Sequence, residues 1–112
     1  MKEIVLTTDL RDDPEVIRQY CEHHAAVWPE VVASLKRVGF REARIYRLGR
    51  RLMMILKVDD DFDGAAASRI HRAAHPRIRE WEDMMDQFQE RPAGTQGGGK
   101  WAPMEKLWDL HA

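Results

Sequence analysis

The sequence is poor in cysteine and has no long apolar run. Cys21 is the single cysteine among 112 residues, so a disulfide within the chain is impossible. No apolar stretch approaches the ~20 residues that a helix needs to cross a bilayer. The first residues also lack the charged-then-apolar pattern of a signal peptide. These absences predict a cytoplasmic protein that does not enter a membrane.

The sequence also lacks an excess of charge of either sign. Its 18 basic and 19 acidic residues leave a net charge of -1, which gives no indication of a nucleic-acid partner. Hydrophobic residues make up 44% and charged residues 33%, a balance typical of soluble globular domains. The length predicts a single domain that spans residues 1–112.

The first half of the chain reads as a strand followed by a long helix. Residues 2–10 have strand character, and Asp13 followed by Pro14 is a typical helix start. The helix is predicted to run to about Val38, with Gly39 as its C-cap. Pro29 lies inside this range and predicts a kink near Trp28, because proline lacks the N–H and crowds the preceding turn.

The second half begins with a predicted hairpin and continues with a divided helical region. Strands over about 42–48 and 52–58 flank a turn centred on Gly49. His75-Pro76 is expected to divide the next helical region, since the residue before proline avoids the helical conformation. Its later half repeats apolar residues at spacings of three and four, which predicts one buried helix face. These residues are Ile78, Trp81, Met85 and Phe88.

A glycine-rich stretch precedes the C-terminal segment. Residues 91–100 include three consecutive glycines and predict a flexible linker. The glycines lack the Lys-Ser or Lys-Thr continuation of a phosphate-binding loop. A last strand is predicted after the linker, between Trp101 and Leu110.

The resulting order, β-α-β-β-α-β, predicts an α+β fold of the ferredoxin-like type, with helices on one face of an antiparallel sheet. The other face carries apolar side chains and has no helix to cover it. We therefore expect a homodimer in which two sheets form a dimeric α+β barrel, and the linker would allow the last strand to cross to the partner.

Tyr20, His24 and Trp28 follow one another at intervals of four residues. On a continuous helix all three point in nearly the same direction. Histidine transfers protons near neutral pH, and aromatic rings suit the apolar face of a sugar. Spacing alone leaves a second interpretation open, because such a stripe is more often part of a core. Trp81 is likewise either core or a second aromatic wall.

The remaining histidines do not predict a metal site. His71 and His75 are four residues apart, as in some ligand pairs, but no third ligand accompanies them. His23 and His24 are neighbours on a helix and do not face each other. No metal and no other cofactor is therefore expected.

At these residues the chain resembles the L-rhamnose mutarotase family. The stretch from Tyr20 to Glu30 matches the family pattern Y-x3-H-x3-W-P-E. Weaker matches extend the resemblance over essentially the whole chain, at Gly39, Ile45-Tyr46, Arg51-Leu52, Trp81 with Met84, and Met104-Glu105. The resemblance implies an isomerase of the aldose 1-epimerase type, a ferredoxin-like dimer that interconverts the α and β anomers of a 6-deoxy-L-hexose without metal or nucleotide.

The resemblance also assigns roles to individual residues. It makes His24 the proton donor and Tyr20 a sugar-binding residue, with Trp28 beside them. A pair of tryptophans in the family falls on Glu80 and Trp81, and a sugar-contacting tyrosine falls on Ala43. These two departures leave L-rhamnose and L-fucose both open as substrates. Glu80 or a water would supply the complementary base.

Two other interpretations remain at this stage. One is a dimeric α+β barrel oxygenase or haem protein, which the histidines and tryptophans would permit. The other is a non-catalytic sugar-binding module in which His24 belongs to the core.

Overall fold

The computed structural model of the chain describes residues 1–97 and 99–111. Its strands are β1 (Lys2–Leu10), β2 (Phe40–Leu48), β3 (Arg51–Val58), β4 (Gln89–Glu90) and β5 (Ala102–Pro103). Its helices are α1 (Pro14–His24), α2 (Pro29–Arg37), α3 (Gly64–Ala73) and α4 (Pro76–Phe88). This is the expected ferredoxin-like α+β arrangement. None of the helices in this part of the chain is long and apolar enough to cross a membrane.

The antiparallel sheet has the order β2-β3-β1-β4, and β5 also pairs with β1. Residues that lie opposite one another on neighbouring strands project from the same face. Thr8 lies opposite Leu52, and Ile4 lies opposite Leu56, on the face that the helices cover. Helix and sheet residues meet there in one buried cluster. Its members are Leu10, Tyr20, Val31, Leu52, Ile78, Trp81, Met85 and Phe88.

The other face of the sheet is not covered by a helix. Val5 lies opposite Ile55 on this face, and Tyr46 lies opposite Met53. The Tyr46 side chain is 53% exposed and that of Leu48 is 84% exposed. We call this surface the open face. Its apolar side chains match the expectation from the strand pattern, and charged side chains of β1, β2 and β3 share the same face.

The predicted long helix over 14–38 is wrong. The chain forms two helices, and residues 25–28 separate them. Trp28 has φ -59° and ψ 136°, an extended conformation that proline imposes on the residue before it. Helix α1 has already ended at His24, and Pro29 occupies the first position of α2, where its missing N–H costs nothing.

Several local predictions are confirmed. The Asp13 side chain accepts a hydrogen bond from the Glu15 N–H at 2.9 Å and caps α1. Gly39 follows α2 with φ 112°, a conformation that favours glycine. The helical region is divided at His75-Pro76, where the His75 ring accepts a hydrogen bond from the Arg77 N–H and caps α4.

The predicted strand over 101–110 is much shorter than expected, and β4 was not predicted. β5 pairs with β1 only as far as Pro103. One further hydrogen bond joins the Met104 N–H to the Val5 carbonyl. Beyond it, Leu107 is 95% exposed and Trp108 is 75% exposed, so no burial holds this segment against the sheet. Before it, the Arg91 guanidinium contacts the carbonyls of Gln96 and Gly99. Gly98 of the predicted linker lies outside the described residues.

Candidate active site

The last two turns of α1 bring Tyr20 and His24 together. Tyr20 is 3% exposed, and its ring stacks on the His24 imidazole with 4.1 Å between ring centroids and 24° between planes. The contact follows from the spacing of four residues on a regular helix. The predicted Tyr20–His24 face therefore exists, and α1 ends directly after it.

A hydrogen bond inside this helix fixes the proton arrangement of His24. Its Nδ1 lies 3.0 Å from the Tyr20 carbonyl oxygen. A carbonyl oxygen only accepts, so Nδ1 carries the hydrogen, and in the neutral ring Nε2 is left as the acceptor. Burial lowers the pKa of His24, and the positive charge that His23 can carry lowers it further, against the opposing effect of the Tyr20 hydrogen bond. The ring is therefore neutral at neutral pH, and its Nε2 carries the lone pair that can accept a proton.

Helix α4 supplies the wall beside this imidazole. Trp81 is 6% exposed and meets the His24 ring edge-to-face, with 5.3 Å between centroids and 63° between planes. His23 also reaches this aromatic group, at 6.2 Å from Trp81 and 6.0 Å from Phe88. The sequence placed His23 about 100° away from His24, and that local angle gave no sign of its contacts with α4.

Trp28 reaches the same group by a different route from the one predicted. It does not continue the α1 helix face, because it lies in the break before α2. Its ring nevertheless lies 5.2 Å from Trp81 at an angle of 67°. The Arg77 guanidinium carbon lies 4.1 Å above the Trp28 ring centroid. Arg77 Nε also lies 3.5 Å from the Glu30 carboxylate.

The hydroxyl of Tyr20 is buried against β4. Burial raises its pKa, and a hydrogen bond with the Gln89 side chain partly opposes this effect. Gln89 is itself 5% exposed. Tyr20 therefore keeps its proton at neutral pH. The role of Gln89 was not apparent from the sequence, since no motif or periodicity includes it.

The other two predicted site residues are exposed and do not belong to the aromatic group around His24. Ala43 is exposed on the edge strand β2, opposite Leu56. Glu80 is exposed on α4 and borders an open depression of about 410 Å³, together with Arg72, His75 and Asp83. A second depression, of about 360 Å³, lies between the end of α2 and the start of α3, and His24 does not line it. The aromatic contacts therefore locate the candidate site, and the depressions do not.

His71 and His75 face different partners. His71 Nδ1 lies 2.7 Å from the Ser34 hydroxyl oxygen, and its Nε2 lies 3.5 Å from Glu82. His75 caps α4, as described above. Within residues 1–97 and 99–111, no three His, Cys, Asp or Glu side chains form a group that could hold a metal ion.

Matches to known proteins identify the family of the chain. The family model described as L-rhamnose mutarotase matches residues 3–110. The chain belongs to the L-rhamnose mutarotase family. It is 40% identical to a protein named L-fucose mutarotase from Xanthomonas campestris, over 98% of this chain and 89% of the relative. The family implies an isomerase that acts on the anomers of a sugar.

Solved structures confirm the fold of this family member. It is similar to an L-rhamnose mutarotase from Formosa agariphila, with TM-score 0.67 and 20% identity over 98% of this chain and 99% of that one. It is also similar to a dimeric ferredoxin-like protein from an uncultured marine organism, with TM-score 0.61 and 11% identity over 96% of each chain. These comparisons give no support to an oxygenase, a haem protein or a non-catalytic module.

Proposed function

We propose that this mutarotase family member interconverts the α and β anomers of a 6-deoxy-L-hexose, with L-fucose as its preferred substrate. The observation that carries the proposal is the neutral, partly buried His24, whose Nε2 can accept a proton beside an aromatic wall. The L-fucose mutarotase at 40% identity favours L-fucose over L-rhamnose. The activity is that of an aldose 1-epimerase type isomerase.

The reaction needs one proton removed and one added on each pass. His24 Nε2 takes the proton from the anomeric hydroxyl while the bond between C1 and the ring oxygen breaks, which gives the open-chain aldehyde. The ring oxygen leaves as an alkoxide and takes the proton from the imidazolium. The carbonyl then rotates, and the same hydroxyl closes on its other face, with the proton returning by the reverse path. Each pass restores neutral His24.

This scheme makes His24 a base first and an acid second. The resemblance alone assigned it only as the proton donor. The two oxygens involved are both bonded to C1, so one imidazole nitrogen reaches both of them with a small movement of the sugar. Glu80, the complementary base that the sequence suggests beside a water, is exposed on α4, and this scheme does not need it.

The surrounding residues bind and orient the sugar. Tyr20 is buried and acts on the sugar through His24, whose imidazole it orients by stacking, and the aromatic group around Trp81 contacts the apolar face of the ring. The reaction already proceeds in water, so orientation and a single positioned proton carrier are sufficient for acceleration.

The decisive measurement is anomer exchange by NMR saturation transfer with L-fucose, L-rhamnose and several common aldoses. We expect faster exchange with L-fucose than with L-rhamnose, and little with the other aldoses. His24→Asn keeps an amide N–H at the position of Nδ1 for the Tyr20 carbonyl but removes Nε2. It should fold normally and lose the acceleration, and exchange at the wild-type rate in this variant would refute the role of His24.

We further propose that the protein acts as a homodimer through the open face, in the cytoplasm. Tyr46 and Leu48 are exposed there, and the apolar segment after Pro103 would gain burial against a second copy. Size-exclusion chromatography with light scattering should give a dimer, and Tyr46→Glu should shift it toward the monomer. A monomer at all concentrations would contradict the dimer. Cell fractionation tests the location.

A further inference from the structure

Arg77 lies at the start of α4, next to the aromatic group but outside the helix face that forms the core. Its guanidinium covers one face of the Trp28 ring at 4.1 Å. That face is consequently not available to a sugar. Trp28 in turn lies 5.2 Å from Trp81, and Trp81 lies 5.3 Å from His24. A continuous line of contacts thus connects Arg77 with the imidazole.

Glu30 holds the other side of Arg77. Its Oε2 atom is buried and makes no hydrogen bond of good geometry to any residue in the described ranges, and Arg77 Nε faces it at 3.5 Å. A buried carboxylate oxygen needs a compensating charge or donor, which gives the guanidinium a preferred position. Glu30 belongs to the first turn of α2, so the pair also joins α2 to α4.

We propose that Arg77, held by Glu30, is a positioning residue that keeps Trp28 against Trp81 and thereby fixes the aromatic wall of the sugar site. Trp28 then acts through Trp81, and its own ring is not the surface on which the sugar stacks. This inference rests on the proposed mutarotase function for its effect on the substrate, but the geometry of the tryptophan pair can be measured without any activity.

The planar guanidinium is essential to this arrangement. It lies flat on an indole ring and faces a carboxylate at the same time, whereas a lysine ammonium is a compact charge that does not stack in this way. Arg77→Met keeps most of the aliphatic stem and removes both contacts. Arg77→Lys keeps the charge toward Glu30 and removes the stacking. Arg79→Met is the matched control, because Arg79 is an exposed arginine two positions later on α4.

The experiment combines circular dichroism with saturation-transfer kinetics on L-fucose. Trp28→Phe first identifies the exciton signal of the Trp28–Trp81 pair. We expect Arg77→Met to weaken this signal and to raise KM about two- to fivefold, the size of an exposed cation–π contact, with kcat nearly unchanged. Arg77→Lys should give an intermediate KM, and Arg79→Met should match the wild type in both measurements.

The possible failures are distinguishable. If the wild type does not accelerate exchange with any sugar, the proposed function fails, while the exciton signal still tests the contact. If Arg77→Met leaves the exciton signal unchanged, the positioning role is overturned. If the signal weakens but KM stays at the wild-type value, Arg77 orders the tryptophans without serving the sugar site, and the proposal is also overturned. Thermal unfolding of each variant identifies any general loss of structure.

Discussion

His24 Nδ1 donates a hydrogen bond over 3.0 Å to the carbonyl oxygen of Tyr20, one helical turn before it, while the two side-chain rings stack on each other. Tyr20 therefore acts on His24 twice, through its main chain and through its ring. The first contact sets which nitrogen bears the proton, and the second restricts the orientation of the imidazole.

The pH profile of anomer exchange should reflect a histidine that titrates below its ordinary pKa of 6.5. Burial lowers the pKa of His24, so its base form remains populated as the pH falls through 6.5. We expect kcat/KM for L-fucose to be constant above neutrality and to decline with an apparent pKa below 6.5. A decline centred above 6.5 would contradict a neutral His24 whose pKa is lowered by partial burial.

Removing the Tyr20 hydroxyl should weaken stability more than binding. Tyr20→Phe keeps the stacking on His24 but leaves the buried Gln89 amide without this partner, which costs about 1–3 kcal/mol of unfolding free energy. We expect urea unfolding to shift to lower urea concentration and KM for L-fucose, measured by saturation transfer, to stay near the wild-type value. Tyr20→Phe combined with Gln89→Leu should recover much of the stability. A large rise in KM in Tyr20→Phe would contradict a purely structural role of the hydroxyl.

Trp81 should matter to the core as well as to the site. Its side chain is almost fully buried, so Trp81→Ala should lower the free energy of unfolding by about 3–5 kcal/mol. Trp81→Phe fills more of the space and is expected to fold, with a higher KM for the sugar because the wall beside His24 is smaller. Denaturant unfolding and exchange kinetics on the two variants separate these effects. Wild-type kinetics in Trp81→Phe would show that the indole of Trp81 does not contribute to sugar binding.

Stability should depend on pH through a second buried histidine. Burial lowers the pKa of His71 and outweighs the opposing effect of Glu82, while Arg72 lowers it further. The folded state therefore binds a proton less readily than the unfolded chain, and unfolding free energy falls as the pH drops below the unfolded value near 6.5. His71→Asn retains an amide for the Ser34 hydroxyl, and its free energy of unfolding should fall less over the same pH range. Urea titrations at several pH values between neutrality and mild acidity measure the difference.

Much of the fold was predictable because its signals are local. Asp13 and Pro14 determine where α1 begins, Gly39 ends α2 with a positive φ, and Pro76 divides the later helices. Pro29 predicts a kink, but the chain forms a break, because α1 ends at His24 and the Trp28 backbone before the proline is extended. The short strands at Gln89 and Ala102 depend on pairing with β1, which no local pattern contains.

The sequence by itself determined the family, the hairpin of β2 and β3 and the pairing of Tyr20 with His24, because four residues on one helix fix a distance wherever the helix lies. Only the tertiary structure decided that Trp28, outside any helix, still meets Trp81, and that Arg77 covers the Trp28 ring. These relations depend on how α1, α2 and α4 pack against one another. Packing of that kind is a property of the whole core, since it is set by many small contacts between residues far apart in the chain.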